Sequence, residues 1–327
     1  MRFGFIGDHL EWVLRQIVNI IPGGNYAIAV LIFIVIIRLL LMPLDIRSKR
    51  SMMRQAKIQP QVDALRKKYE KDPQKMNMKM QELYKKEHVS MLGGCLPILI
   101  SMPLLFAMFA VIRDISNEGT VLMLLDIKEH LDAGEMDYRP VLQSFLWIKN
   151  IFQPDSVFST VMPEAAASVN NALIGMREST SVYTAEMLQT AKEFLASETY
   201  AAWAAEYGNT AWYKGNMMGL WNMTIPMAFN GWCILPPLAG LSQYLSTLLM
   251  NAGNPQQNNA NSPAGSTGKI MKYFFPIFSV FICFSSNAVF ALYWVVSAAV
   301  QSVQTYFIGK WIEKREAEKA LKEAQQA

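Results

Sequence analysis

The sequence has little of what most enzyme chemistry needs. Three cysteines (Cys95, Cys233, Cys283) and three histidines (His9, His88, His130) are scattered over 327 residues. All three cysteines fall in apolar stretches. An odd, buried set excludes a disulfide framework and argues against a thiol site, leaving the cysteines as small packing residues. No Cys/His cluster has metal-ligand spacing, so no metal, cofactor or catalytic residue is expected, and the chain is not read as an enzyme. Charge is also scarce, at 17% of residues, where a soluble domain carries about 25%. The most telling lack is of acid: no Asp or Glu lies in 27–44, 95–112, 229–250 or 271–308. A proton relay of the kind that coupled transporters use therefore has no groups to run on. No internal repeat is visible, which also counts against a transporter.

What is abundant is apolar residue, 52% of the chain, gathered in blocks. The pattern predicts a polytopic membrane protein. A hydrocarbon core of about 30 Å needs ~20 helical residues. Tyr26–Leu44, Cys95–Ile112 and Phe229–Met250 are candidate spans. The stretch 273–308 is too long for one crossing and divides at Ser285-Ser286-Asn287 into spans near 271–285 and 288–308. The expected fold is all-α with five transmembrane helices.

Orientation follows from lysine and arginine. Segment 46–90 carries 13 Lys+Arg against 5 Asp+Glu, and segment 113–227 carries 7 against 14. The first is expected in the cytoplasm and the second outside, with the N-terminus out and the basic tail 309–327 in. The net charge of +4 implies nothing about nucleic acid, and no DNA partner is expected. Residues 1–22 lack the apolar core and small-residue site of a cleavable signal. Leu10, Val13, Leu14, Ile17 and Ile21 share one helical face, predicting an amphipathic helix along the external interface.

Segment 46–90 contains no glycine, and Lys71-Asp72-Pro73 breaks it into two helical stretches. Met53, Ile58, Val62, Leu65 and Tyr69 form a narrow apolar seam that Met76, Met80 and Leu83 can face. The hairpin is either a solvated connector or a landing surface for ribosomal RNA, anionic lipid or nascent chains, offered by Arg47, Lys49, Arg50, Arg54, Lys57, Arg66, Lys67 and Lys68. Outside, SFLWIKNIFQPD (144–155) reads as interfacial, with Trp147 as an anchor. Residues 163–207 read as a small helical insertion, with Thr184 opening a helix. The polar loop 251–268 reads as a disordered connection.

Arg38 stands inside the first apolar run, where a guanidinium costs about 2.5–3.5 kcal/mol on insertion scales. It either snorkels to headgroups about 10 Å away or sits in water within the bundle. Trp294, Ser297, Gln301 and Gln304 recur at i, i+3, i+7 and i+10. Gln243, Ser246 and Thr247 make a shorter stripe, and Ser101 is central in the second span. Each polar residue alone is satisfied by an interhelical hydrogen bond. Together with Arg38 they predict a hydrated cavity that attracts anionic groups, either substrate phosphates or the acidic tail of a translocating polypeptide.

The stretch IIRLLLMPLDIRSKRSMMRQAKIQPQVDALRKKYEKDPQKMNMKMQELYKKEHVSMLGGCLPILISMPLLFAMF (36–109) resembles the YidC membrane-protein insertases. The span-one arginine before a proline, the IQP-then-basic hairpin and GGCLPILISMP carry the likeness, which extends over about 26–155 and 229–310. The resemblance implies a five-span bundle in the bacterial plasma membrane with a groove open to cytoplasm and lipid. Arg38 would be its groove arginine and 46–90 its recruiting hairpin. Nascent membrane proteins would be the clients, with the Sec translocon, the ribosome and anionic lipids as partners. Ser101 departs from the family, many of whose members carry glutamine there, and the 160–225 insertion is longer than in compact members. The rival class is a small-molecule anion transporter or lipid scramblase using Arg38 as its anion site. A purely structural chaperone subunit is a third reading.

Overall fold

Helix α1 (Gly4–Ile20) opens the chain and stops at the turn Pro22–Gly24, where Gly23 and Gly24 adopt positive φ. The computed structural model describes residues 4–87, 89, 96–163, 182–208, 212–217, 221–226, 229–251 and 270–326. The remaining helices are α2 (Tyr26–Lys68), α3 (Pro73–Lys86), α4 (Leu96–Asp132), α5 (Ala185–Leu195), α6 (Glu198–Trp203), α7 (Leu235–Asn251), α8 (Phe275–Ser285) and α9 (Ala288–Gln326). Among the described residues, Tyr26–Lys68 and Ala288–Glu318 are long and apolar enough to cross a membrane, and Lys272–Ser285 is a shorter apolar helix. Leu40 on α2 and Phe281 on α8 are each 70% exposed, which for large apolar side chains marks a lipid- or protein-facing surface.

The chain forms two compact units: 1–35 with 103–240 and 278–297, and 36–102 with 241–277 and 298–327. In the first, α1 is helical as its periodicity predicts, but its face is reassigned. Leu10, Leu14 and Val18 are buried against protein, and the exposed large apolar side chains are Phe5, Ile6, Trp12 and Ile20. The cause is an ion cluster. Arg15 donates to Glu11 Oε1 at 2.8 Å and to both oxygens of Glu118 at 3.0 and 2.5 Å, which turns the Leu10 face toward α4. These hydrogen bonds, Glu118's first, raise the Arg15 pKa further against its partial burial.

Helix α4 runs 37 residues, well past the expected end at Ile112, because no proline follows Pro103 and an apolar stripe continues. Val121, Leu124, Ile127 and Leu131 of this extension bury against Leu142, Val161, Met162, Tyr183, Leu188, Phe194, Tyr200 and Trp203. Thr184 caps α5 as expected, its hydroxyl accepting from Met187 N at 3.2 Å. Helix holds for the described part of 163–207, but the expectation of an all-α chain does not hold around it. Strands β1 (Leu142–Ser144), β2 (Trp212–Met217) and β3 (Trp221–Pro226) form a sheet with β1 parallel and β3 antiparallel to β2, in register Leu142↔Gly215 and Trp212↔Pro226. Aromatic and β-branched residues flanking a glycine-containing link favour that hairpin over helix. Residues 164–181 and 252–268, for which helix and a disordered loop were expected, lie outside the described residues.

Segment 144–156 gathers the starts of three helices. Asn25, ahead of α2, donates to the Ser144 carbonyl at 3.3 Å. Ala288 and Val289 of α9 donate to the carbonyls of Gln153 and Ile151, both at 2.9 Å. Asp155 accepts from Ile234 N at 2.9 Å and Leu235 N at 2.7 Å, at the start of α7. Trp147, expected as a membrane anchor, is half-buried and donates its indole N–H to Asp155 at 3.2 Å. The third apolar stretch becomes helical only at Leu235, with Pro236 and Pro237 in its first turn, where proline needs no partner. Cys233 therefore stands in the preceding loop, at φ 58°, rather than inside a span. Lys149 donates to the Phe229 carbonyl and covers its ring at 4.4 Å, and burial lowers its pKa from the usual lysine range.

Phe152 of this segment lies over Gly119 of α4, where a methyl group would stand 2.3 Å from the ring. Gly119→Ala is expected to destabilise the protein by about 1–3 kcal/mol through overpacking. Thermal unfolding in detergent measures this, and an unchanged midpoint would show that the ring moves aside freely.

In the second unit, α2 and α3 form the predicted hairpin. Asp72 caps α3 by accepting from Lys75 N at 3.1 Å, with Pro73 as its first residue. Ile58 and Val62 pack on Tyr84 and Val89, with Met80 and Leu83 alongside.

Candidate functional site

Arg38 occupies the middle of an apolar helical stretch of α2, half-buried. Pro43 lies within the same helix and removes the N–H that the Leu39 carbonyl would otherwise accept from. The turn carrying Arg38 is thus short of one backbone bond. Two amides of α9 meet it. Arg38 Nη2 donates to Gln301 Oε1 at 3.2 Å, and Gln304 Nε2 donates to the Arg38 carbonyl at 3.3 Å. Gln301 Nε2 reaches Met250 Sδ at 3.7 Å at the end of α7.

Both partners are neutral amides, which orient the guanidinium. Asp45, seven residues on and about 10 Å along the helix, couples to it electrostatically. Among the described residues, Gln304 Oε1 is buried and has no hydrogen-bond donor. A buried acceptor left so costs about 1–3 kcal/mol. Water or a passing polypeptide N–H would remove that cost.

Arg38, Gln301 and Gln304 are thus brought together, joined by Met250, which spacing did not single out. On α7, Ser246 is buried and Gln243 half-buried, its carbonyl accepting from Thr247 Oγ1 at 2.9 Å. Trp294 and Ser297 belong to the other unit, where Trp294 is half-buried beside Phe290 at 5.7 Å. Ser101 lies on α4, and its side chain is outside the described residues.

The basic residues of the hairpin divide by environment. Arg47, Arg54, Lys67 and Lys68 are exposed and Arg66 is half-buried. Three others touch the rest of the protein. Lys49 donates to the carbonyls of Leu249 and Met250 at 3.4 and 3.5 Å, at the C-terminal end of α7, where a cation complements the helix dipole. Arg50 lies over the Trp311 ring at 5.1 Å, and Lys57 pairs with Glu316. Between α2 and α3 is a cavity of about 430 Å³ lined by Ala64, Leu65 and Leu83 together with Gln61, Lys68, Lys79, Glu82 and Lys86, of which Lys79 pairs with Glu82 at 2.6 Å. Lys79 and Lys86 were missed as recruiting candidates. Their spacing of seven, one helical face of α3, was the available signal.

Comparison with known proteins bears on this arrangement. The family model described as "60Kd inner membrane protein" matches residues 17–316. A protein of Clostridium perfringens is 32% identical over 152 residues, 46% of this chain and 55% of its own. One of Fusobacterium nucleatum is 42% identical over 90 residues, 28% and 44% of the two chains. One of Caldanaerobacter subterraneus is 38% identical over 109 residues, 33% and 50%. Each carries the name membrane protein insertase YidC. The matched region spans about half the length of these curated relatives.

Proposed function

The chain belongs to the 60Kd inner membrane protein family, and from that premise we propose that it is a membrane-protein insertase of the bacterial inner membrane. The supporting observation is Arg38, held in an apolar helix by neutral amides beside the unsatisfied Gln304 oxygen. A charge so placed calls for water and favours anionic visitors. Five spans, N-terminus out, would set this group in a groove open to the cytoplasm, with Gln243, Ser246 and Ser101 along it. The hairpin 46–90 would gather nascent membrane proteins, delivered from the ribosome or passed from the Sec translocon. The segment 113–228 would lie outside.

The route needs no covalent chemistry. Water in the inner half of the bilayer shortens the apolar barrier that a polar tail must cross. Arg38 holds an acidic tail there by charge-assisted hydrogen bonds. The client helix then moves sideways into lipid, where burial is favourable by about 25 cal/mol per Å². The membrane potential adds up to about 2.3 kcal/mol per negative charge moved outward, per 100 mV.

Arg38→Ala is expected to reduce insertion of a client with an acidic translocated tail about tenfold or more, the loss of one charge-assisted bond. Arg38→Lys should retain most of it. Insertion into proteoliposomes measures both. Equal insertion by wild type and Arg38→Ala would remove the charge from the mechanism.

A further inference from the structure

Away from Arg38, the chain carries a cationic cluster where α2 and α9 meet. Trp311 of α9 is approached by two guanidiniums. Arg315 lies 4.4 Å and Arg50 5.1 Å from its ring centroid. The two distances bound the separation of the guanidinium carbons at 9.5 Å. Among the described residues neither arginine is in a salt bridge. The nearby acids are engaged elsewhere: Glu316 pairs with Lys57, and Glu313 acts on Lys49 and Lys310. Both arginines are exposed, and Trp311 keeps 39% of its surface open. Ile308 and Ile312 are buried at 7% and 3% and fix this part of α9, so the indole is a set platform rather than a loose side chain.

We propose that Arg50, Arg315 and Trp311 form a binding site for the phosphate of an anionic phospholipid headgroup. Two like charges held on one ring repel each other, and an anion between them converts that repulsion into attraction. An arginine fork presents paired N–H donors that match phosphate oxygens, and it stacks on an aromatic face while doing so. Depth selects lipid as the source of the phosphate. Trp311 is three residues beyond Ile308, which ends the apolar run of α9, and Arg50 is six beyond Leu44, which ends that of α2. At 1.5 Å per residue these are about 4.5 and 9 Å, the depth of the headgroup layer, where tryptophan concentrates. The site rests on α2 and α9 being spans and not on insertase activity.

The test is native mass spectrometry of the full chain released from detergent containing equal phosphatidylglycerol and phosphatidylcholine. The wild type is expected to retain phosphatidylglycerol selectively. The double variant R50Q/R315Q should retain about tenfold less, two basic contacts being lost. K314Q, which removes an exposed cation of α9, should bind like the wild type. Equal retention by R50Q/R315Q and wild type would overturn the site. So would a loss in K314Q as large as in R50Q/R315Q, because attraction would then be diffuse. Displacement by 20-fold excess inorganic phosphate at constant ionic strength would overturn the lipid assignment in favour of a free-phosphate site. The single variants R50Q and R315Q, each expected to show a partial loss, carry the test if the double variant does not fold. No insertion is read, so this result stands apart from that of Arg38.

Discussion

Arg15→Ala is expected to destabilise the folded protein by about 3–5 kcal/mol, the usual consequence of removing one partner from a buried ion pair. Both carboxylates it serves are 4% exposed at the side chain. Glu11 Oε2 is already without a partner among the described residues. Without the guanidinium, two buried like charges would face each other. Tyr183 gives no relief: burial, then the charges of Asp114, Glu118 and Glu11, push its phenol up to about 12, so it stays neutral. Arg15→Lys should recover only part of the loss. A single ammonium cannot reproduce the Nη contacts to Glu11 and Glu118 together with that of Arg15 Nε to Glu11 Oε1 at 3.1 Å, four in all to two carboxylates. The triple variant Glu11→Leu/Arg15→Met/Glu118→Met removes all three charges and should be far closer to wild type than Arg15→Ala. Thermal unfolding in detergent measures each step. If Arg15→Ala falls within 0.5 kcal/mol of wild type, the cluster holds α1 no more tightly than a surface pair would.

This clasp shows where reading the sequence stops. Periodicity found helix α1, because apolar residues recur every three to four positions. It could not say whether the apolar face meets lipid or protein, since both bury the same side chains. That choice rests on Glu118, 103 residues away, and no local pattern contains it. Breaks set by local chemistry were legible. Asp72-Pro73 caps and opens α3, and Asn287 accepts from Phe290 N at 3.0 Å to start α9. The β2–β3 hairpin had a local signal in its aromatic and Thr/Ile content, but the alanine-rich run before it dominated the reading of the insertion.

The candidate site was legible to a similar depth. Arg38 stood out because acid is absent around it, and Gln301 and Gln304 because they recur on one face of α9. Their convergence needed the fold, since 263 residues separate Arg38 from Gln301. The basic hairpin residues looked equivalent in sequence. Lys49, Arg50 and Lys57 differ from the rest only through what α7 and α9 bring to them, and neither helix is near in the chain.

The start of α7 should prove still more sensitive. Asp155 is 1% exposed and accepts three hydrogen bonds, from the backbone of Ile234 and Leu235 and from the Trp147 indole. It is a carboxylate at a helix N-terminus, where the dipole favours negative charge. Asp155→Ala leaves these donors unmet, and with about 1–3 kcal/mol per buried group the expected loss is about 3–6 kcal/mol. Asp155→Asn keeps an acceptor oxygen and should cost about half as much. Gly231 supplies an independent check. A methyl there would lie 2.0 Å from Asp155 Oδ1, so Gly231→Ala should displace the carboxylate and cost nearly as much as removing it. The two effects must then overlap. In the double variant Asp155→Ala has removed the Oδ1 and Cγ atoms nearest the methyl and leaves the Cα at 3.1 Å, so adding Gly231→Ala to Asp155→Ala should cost under about 1 kcal/mol. Residues in contact fail additivity in this way, and distant ones do not. A double-mutant cycle on unfolding midpoints decides it: additive losses would mean that Gly231 is needed for its backbone alone, and that the carboxylate does not depend on the open space above it.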